Sequence, residues 1–182
     1  MKKLIATLMM VASIGAVSNA QVFDKGAKFA HVGIGVGSPY AYSGSSVSIP
    51  PVHASLEVGI TEKIGIGGLI GYTASTWDQN YFGDAYSWKF TYLIIGARGA
   101  YHFIDNEKAD VYGGLMLGYN IASAKFESTD PDLEALVVEP EVGGVAFGGY
   151  VGARYMFKEN IGGFAELGYN ISYLSIGATF KF

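Results

Sequence analysis

The chain has 182 residues, a length that fits one domain, and a formal charge of −4 at pH 7. It contains no cysteine, which excludes disulfides and thiolate metal sites. The negative charge leaves no basic footprint for binding nucleic acid. Half of the residues are hydrophobic, 26 are glycine and 13 are tyrosine, against only five prolines. This balance favours strands over helices, and we predict an all-β chain.

The first 20 residues have the layout of a cleavable secretory signal. Lys2 and Lys3 precede an apolar run from Leu4 to about Val17, and small residues end the segment at Ala20. A membrane anchor is the alternative, but a run of about 14 residues is short for a spanning helix. We predict a signal peptide at residues 1–20 and one mature domain at residues 21–182, with a formal charge of −6 after the two lysines are removed.

Alternating apolar residues divide the mature chain into eight segments of strand periodicity. After a short tether at residues 21–26, we predict strands at residues 27–37, 52–60, 64–75, 88–103, 110–122, 143–157, 161–170 and 173–182. Three short turns, at residues 61–63, 104–109 and 158–160, alternate with four loops, of which the first three, at residues 38–51, 76–87 and 123–142, are longer. Such an asymmetry is typical of a barrel with one end in the periplasm and the other outside the cell.

The last predicted strand ends on an aromatic residue. It alternates between one set of apolar residues and one set of small or polar residues: Leu174, Ile176, Ala178, Phe180 and Phe182 against Ser175, Gly177, Thr179 and Lys181. A long apolar strand with unpaired backbone groups promotes aggregation unless another strand covers it. Pairing with the first strand closes the sheet into a barrel and removes both edges, so we predict that closure.

Aromatic residues recur at two depths of the predicted strands. Strands three, five and seven share a repeat that begins with two glycines and ends in Gly-Tyr, at Tyr72, Tyr119 and Tyr169. Three of the opposite strands carry a pair of aromatic residues two positions apart: Tyr101 and Phe103, Tyr155 and Phe157, Phe180 and Phe182. Because amphipathic rings favour headgroup levels, the pattern predicts the upper and lower aromatic girdles of a membrane barrel.

The face opposite the girdles mixes glycines with ionisable residues, whereas the bulky apolar face is not interrupted by charge. A soluble barrel buries its apolar face, so this distribution predicts an eight-stranded antiparallel up-and-down transmembrane barrel with a polar interior. Inside it we predict a layer of ion pairs formed by Glu57, Arg98, Arg154 and Glu166. The interior of such a barrel is just wide enough for side chains, so we expect the layer to block ions.

The chain resembles the small eight-stranded outer-membrane β-barrel proteins of Gram-negative bacteria, the OmpX/OmpW-like group, over the whole mature sequence. The most specific element is the terminal segment 177–182, in which Gly177, Phe180 and Phe182 match the pattern of the assembly signal of such proteins. Ile176 departs from the polar residue that is usual before this glycine. The resemblance implies insertion by the barrel assembly machinery and a place in the outer membrane, as a monomer among lipopolysaccharide and other outer-membrane lipids.

One set of residues suggests an enzyme. His53, Ser55 and Glu57 alternate on one strand face and superficially resemble the serine-dependent lipid A deacylases of the outer membrane. Leu56 and Glu57 replace the small polar pair that follows the serine in that family. The face is also predicted to line the lumen rather than to face lipid. We therefore expect ordinary lumen residues and no enzymatic activity.

The predicted loop at residues 123–142 holds six acids against the single Lys125. Binding of divalent cations that bridge lipopolysaccharide phosphates is the weaker alternative to a solvated loop, and we predict neither metal nor cofactor. The function that we expect is an envelope structural or surface-interaction role through the extracellular loops. The alternative is a narrow channel for small apolar compounds, as in part of the resembling group, and a lipid A-modifying hydrolase is weaker still.

Overall fold

The computed structural model describes residues 21–41, 44–81, 84–128 and 141–182, so the predicted signal peptide and much of the longest predicted loop lie outside the described residues. Within these ranges the chain forms the strands β1 (Lys28–Val36), β2 (Ser46–Gly59), β3 (Ile64–Tyr81), β4 (Asp84–Asp105), β5 (Ala109–Ser128), β6 (Glu141–Lys158), β7 (Ile161–Tyr169) and β8 (Leu174–Lys181). The described part holds no helix long and apolar enough to cross a membrane.

The strands form a closed barrel in which each is antiparallel to its neighbours in the chain. The predicted pairing of the last strand with the first is confirmed, by a register of eight residue pairs from Phe29 and Lys181 to Val36 and Leu174. Beyond this register, the amide of Phe182 donates to the carbonyl of Lys28 at 3.1 Å. The predicted all-β, eight-stranded up-and-down barrel is therefore confirmed.

Neighbouring strands on one side of the barrel are longer than the sequence predicted. β3 continues to Tyr81, β4 begins at Asp84 and β5 continues to Ser128. Strand structure therefore replaces most of the predicted loop at residues 76–87 and the beginning of the loop at residues 123–142. The prediction ended these strands too early because it followed apolar residues, and the outward positions become polar here.

The change of outward residues marks the upper edge of the apolar band. Along β5, Tyr119 and Ile121 are exposed and apolar, whereas the next outward positions are Ser123 and Lys125. We call the part of β3, β4 and β5 beyond this edge, residues 76–81, 84–91 and 123–128, the projecting sheet. At about 3.3 Å per residue and a strand tilt of about 40°, its shorter strands extend roughly 15 Å above the band.

β2 also begins earlier than predicted, at Ser46 instead of Val52. Pro50 and Pro51 lie inside this added segment, and the register with β3 shifts between Ile49 and Val52. Proline has no amide hydrogen for the ladder, and a bulge lets the strand continue past it. The prolines therefore led the sequence prediction to a loop where the chain forms an irregular strand.

The predicted tether at residues 21–26 lies, together with Ala27, against the end of the lumen that carries the short turns, and we call residues 21–27 the floor strap. Val22 and Phe23 are buried, and the ring of Phe23 stacks on His102 with centroids 3.5 Å apart. The amide of Phe23 donates to the carboxylate of Asp105 at 3.1 Å. Two isolated apolar residues have no periodicity, so the sequence pattern gave no sign of this packing.

The floor strap also contacts strands on the other side of the barrel. Lys181 Nζ donates to the carbonyl of Val22 at 2.8 Å, and the amide of Gly26 donates to the carbonyl of Gly59 at 2.8 Å. A Cβ at Gly59 would collide with the carbonyl of Asp24, so the approach of the strap needs a glycine there. The strap thus links β2, β8 and the turn between β4 and β5.

Replacing Phe23 with alanine should lower the free energy of unfolding by about 3 kcal/mol, because a fully buried ring is lost from a packed site. Lys25→Ala, an exposed position of the same strap, should stay within about 0.5 kcal/mol of the parent. Urea unfolding of the folded protein in lipid vesicles, followed by tryptophan fluorescence, measures both values. Equal stability of the two variants would contradict the packing of the strap.

Replacing Phe182 with serine should lower the folded yield in membranes, because Phe182 directly follows the closing strand β8 and ends the predicted assembly signal. Phe157→Ser is a matched control, since both rings belong to the predicted lower girdle and are similarly exposed, at 71% and 68%. Heat-modifiable migration on a gel reports the folded fraction of each variant. The idea fails if Phe182→Ser folds as well as Phe157→Ser.

Candidate functional site

The candidate site is the lumen, where side chains from six strands meet in the half nearest the floor strap. Arg154 of β6 is almost fully buried and contacts two carboxylates, Asp110 at 2.5 Å and Glu57 at 2.9 Å. Its guanidinium also lies 3.8 Å from the centre of the Phe29 ring. A buried arginine is tolerated only when its charge is compensated, and these contacts provide that compensation.

His102 of β4 lies between the same two carboxylates. Its Nδ1 is 2.9 Å from Asp110 and its Nε2 is 3.1 Å from Glu57. An ionised carboxylate only accepts hydrogen bonds, so the imidazolium form of His102 donates to both. In that form His102 and Arg154 balance the two carboxylates.

A second ion pair joins Arg98 of β4 to Glu166 of β7 at 2.7 Å. Arg98 also donates to Ser55 Oγ at 3.3 Å and lies 3.9 Å over the ring of Tyr150. The hydroxyl of Tyr112 donates to Glu166 at 3.0 Å. These contacts connect side chains of β2, β4, β5 and β7 into one network that crosses the lumen. Its hydrogen bonds are strengthened because one or both partners are charged.

The structure thus brings the four residues of the predicted layer together as two pairs, Glu57 with Arg154 and Arg98 with Glu166. Asp110, a central member, was not predicted. It shares the inward parity of the fifth strand, but it was the first residue of the predicted strand, next to a turn, and so received no role. The blocking of ions by the layer stays a prediction.

Two features show how little space remains in the lumen. A cavity of about 10 Å³ lies among His31, Ser55, Glu57 and Arg98, which is room for about one water molecule. Another part of the lumen holds an apolar cluster of buried side chains: Leu69, Tyr92, Ile94, Met116, Ala146 and Ile171. The barrel interior is therefore packed by one charged and one apolar region, and a cavity of about 280 Å³ lies beyond them, beside Tyr40, Phe90 and Asn120.

The three residues of the enzyme alternative line the lumen, but they do not form a relay. Ser55 Oγ accepts from Arg98, and Glu57 contacts His102 and Arg154. Among the described residues, no hydrogen bond joins His53 to Ser55 or Glu57. The His53 ring packs against the ring of Phe164, with the two ring centres 5.9 Å apart. A serine nucleophile needs a base within hydrogen-bond reach, which this arrangement does not provide.

The residues of the predicted girdles lie on the outer face. Six of them are exposed: Tyr101, Phe103, Tyr155, Phe157, Tyr119 and Tyr169; Tyr72 is half-buried. The rings of Phe103 and Phe157 lie over glycines of the next strand, close to where a Cβ of Gly113 or Gly163 would be. The terminal residues Phe180 and Phe182 are also exposed, whereas Gly177 faces the lumen beside Phe164.

The acidic loop of the sequence prediction is described only in part. Ser123–Ser128 belong to β5, and Glu127 forms an exposed ion pair with Lys89 at 3.1 Å. Four of the six acids, Asp130, Asp132, Glu134 and Glu139, lie outside the described residues. Within the described ranges, no group of three or more histidine or acidic residues is arranged to hold a metal ion.

Replacing Glu166 with alanine should lower the free energy of unfolding by about 3 to 5 kcal/mol, because Arg98 is left buried and unpaired. Glu127→Ala is the control, since it breaks an exposed ion pair and should cost about 1 kcal/mol or less. Both values come from urea unfolding in lipid vesicles. A loss below about 1 kcal/mol for Glu166→Ala would show that water reaches the pair.

No protein-family model matches the chain, and no curated protein matches it. Solved structures are similar to it. Ail, the attachment invasion locus protein of Yersinia pestis, is 15% identical with a TM-score of 0.56, over 87% of this chain and 99% of that chain. The outer membrane protein OprG from Pseudomonas aeruginosa is 14% identical with a TM-score of 0.57, over 88% and 97%. Neisserial surface protein A is 17% identical with a TM-score of 0.50, over 86% and 95%.

Identities this low show a likeness of fold alone. The outer face of the barrel adds an independent argument, since the exposed residues of the band include Val32, Ile66, Leu117, Phe147 and Leu167. A surface of this kind suits lipid and not water. The chain therefore has the fold of the small eight-stranded outer-membrane β-barrel proteins, and the outer membrane is its location.

Proposed function

We propose that the protein is a non-enzymatic, sealed barrel that acts in the cell envelope by a structural role and by surface contact through its extracellular part. The observation that carries this proposal is the filled lumen, in which Arg98 and Arg154 are paired with buried carboxylates. Long, paired arginines occupy the space that a conducting pore needs. The part of the chain that is free to meet other molecules is then the part outside the membrane.

The projecting sheet is the contact element in this proposal. β2 pairs with β3 only as far as Ser46 and Thr76, so residues 77–81 continue beyond it at the edge of the described sheet. On the inner face, Trp88 packs with Phe90 and Phe126 at centroid distances of 6.2 and 5.1 Å. An ordered strand at a sheet edge offers backbone groups to an extended segment of another molecule.

The ligand of a similar structure does not fit this surface as described. The structure of Ail holds the heparin analogue sucrose octasulfate, a strongly anionic compound. On the described outer face of the projecting sheet, Lys89 and Lys125 are accompanied by the acids Asp78 and Glu127. This balance of charge does not favour a highly sulfated partner, so we do not extend that ligand to this chain.

Planar-bilayer recording tests the sealed lumen, with insertion verified by heat-modifiable migration on a gel. We expect no steady ohmic conductance, because charged and apolar side chains fill the interior. Steady conductance would overturn the sealed barrel and favour the channel alternative. Release of acyl chains from lipid A, followed by mass spectrometry, would overturn the non-enzymatic part of the proposal.

The contact role is tested by removing residues 78–87, which shortens the hairpin of β3 and β4 outside the apolar band. The shortened barrel should still fold, because the strands within the band are unchanged. Adherence of cells that carry the parent or the shortened protein to other cells and to host-cell monolayers is then compared. Equal adherence at equal folded amounts would contradict a contact role for this hairpin.

A further inference from the structure

The short loop between β7 and β8, at residues 170–173, turns into the barrel instead of away from it. Asn170, Ile171 and Ser172 are all buried, and Ile171 has no exposed surface. A loop at the end of a barrel ordinarily runs over the surface, where water satisfies its backbone groups. Its burial therefore has to be explained by the side chains and strands that surround it.

Two glycines of the barrel wall leave the space that this loop occupies. Ile171 lies against Gly71 of β3, where a Cβ would collide with the Ile171 Cδ1 atom. Ser172 lies against Gly35 of β1, where a Cβ would collide with the Cβ and the hydroxyl of Ser172. Because protein interiors are close-packed, a side chain at either glycine would take the volume that the loop fills.

The polar groups of the loop are paired inside the lumen. The side-chain oxygen of Asn170 accepts from the amides of Ile171 and Ser172, the second at 3.3 Å. The hydroxyl of Ser172 lies 2.6 Å from the hydroxyl of Ser175. The hydroxyl of Ser38 donates to the carbonyl of Ile171 at 3.3 Å. Since a buried polar group costs free energy unless it is bonded, this pairing stabilises the inward conformation.

The loop covers the apolar region of the lumen. Ile171 belongs to the buried apolar cluster that also contains Tyr92 and Ala146. Along β4, Tyr92 lies closer to the extracellular end than Arg98, so the cluster lies between the loop and the charged half of the lumen. The loop therefore closes the lumen from the side opposite the floor strap.

The loop and the charged half of the lumen are held by separate bonds. We call the ion-paired residues there the charged layer: Glu57, Arg98, Asp110, Arg154 and Glu166. Among the described residues, no hydrogen bond or ion pair links residues 170–172 to this layer. β7 ends at Tyr169 and β8 begins at Leu174, so moving the loop breaks no pairing between strands. The loop can therefore leave the lumen while the charged layer stays intact.

We propose that residues 170–172 form a displaceable plug, which opens the apolar region of the lumen to the outside without opening the barrel to ions. Segments that open without loss of strand pairing do so at a lower free energy than global unfolding. The lumen then has two independent closures, the plug at the extracellular side and the charged layer below it. This inference rests on the sealed barrel of the proposed function and adds a moving part to it.

The reactivity of a cysteine behind the plug tests the proposal. The chain has no natural cysteine, and Ala146→Cys places one at a buried position of the apolar cluster. In this background, Gly35→Ala displaces the loop at Ser172. The control is Gly68→Ala on the lipid-facing side of β3, where a Cβ meets the carbonyl of Gly96 at an ordinary 3.6 Å.

Folded protein in detergent is treated with a small water-soluble maleimide, and the modified fraction is followed by mass spectrometry. The Gly35→Ala variant should react at least about tenfold faster than the Ala146→Cys parent, because the plug is displaced. The Gly68→Ala control should react as slowly as that parent. Ile171→Ala removes atoms from the plug without adding any, so it should also react faster, and it carries the test if Gly35→Ala does not fold.

Three outcomes would overturn the proposal. Equal rates for Gly35→Ala, Ile171→Ala and Gly68→Ala would show that the loop does not control access to the cluster. A parent that reacts as fast as an exposed Ser123→Cys variant would show that the loop does not close the lumen. Steady conductance of Gly35→Ala in planar bilayers would show that the plug and the charged layer are not independent. Conductance of the unmodified protein tests the sealed barrel separately, so the two failures are distinguishable.

Discussion

The constraint on which this structure depends is that backbone groups in the lipid layer have no water to bond with, so each must be paired within the barrel. The strand β8, which pairs with β7 along one edge, can therefore exist in the membrane only if β1 pairs with its other edge, as the register from Phe29 and Lys181 onward shows. Closure in turn fixes which residues of every strand face outward and which face the lumen. Apolar side chains face lipid, and everything polar on the spanning strands is directed into a narrow interior.

That narrow interior explains the unusual chemistry of the lumen. Charged side chains cannot reach water easily, so Arg154 and Arg98 are each held against carboxylates and against an aromatic ring. Glycines supply the space that these side chains occupy. At Gly152, for example, a Cβ would lie 2.8 Å from atoms of both Glu166 and Tyr112, so a larger residue would displace the network. The glycines and the charged residues of the lumen therefore pack together, because the glycines leave the volume that the charged side chains occupy.

The sequence predicted the features that repeat with a period of two. Closure by the terminal strand, the inward parity of Glu57 and Glu166 and the outward parity of Tyr119 all follow from alternation alone. Features that depend on contacts between distant segments were missed. Phe23 is not part of an alternating apolar pattern. It is buried because the floor strap passes the end of the barrel, where the Phe23 ring stacks on His102 and the Phe23 amide donates to Asp105. The early end predicted for β5 has a different cause, because its outward residues change from apolar to polar while the strand continues.

This change of outward residues also connects the fold to its function. Within the band, the outer face is fixed by lipid and the inner face by packing, so neither is free to vary for recognition. Above the band, β4 and β5 keep the rigidity of the barrel, but their outward positions carry Thr91, Lys89, Ser123 and Lys125 in place of apolar residues. The same ladder of hydrogen bonds thus serves two environments. In the membrane it removes polar backbone from lipid, and outside it holds polar and charged side chains in a fixed register, which is what recognition of another surface requires.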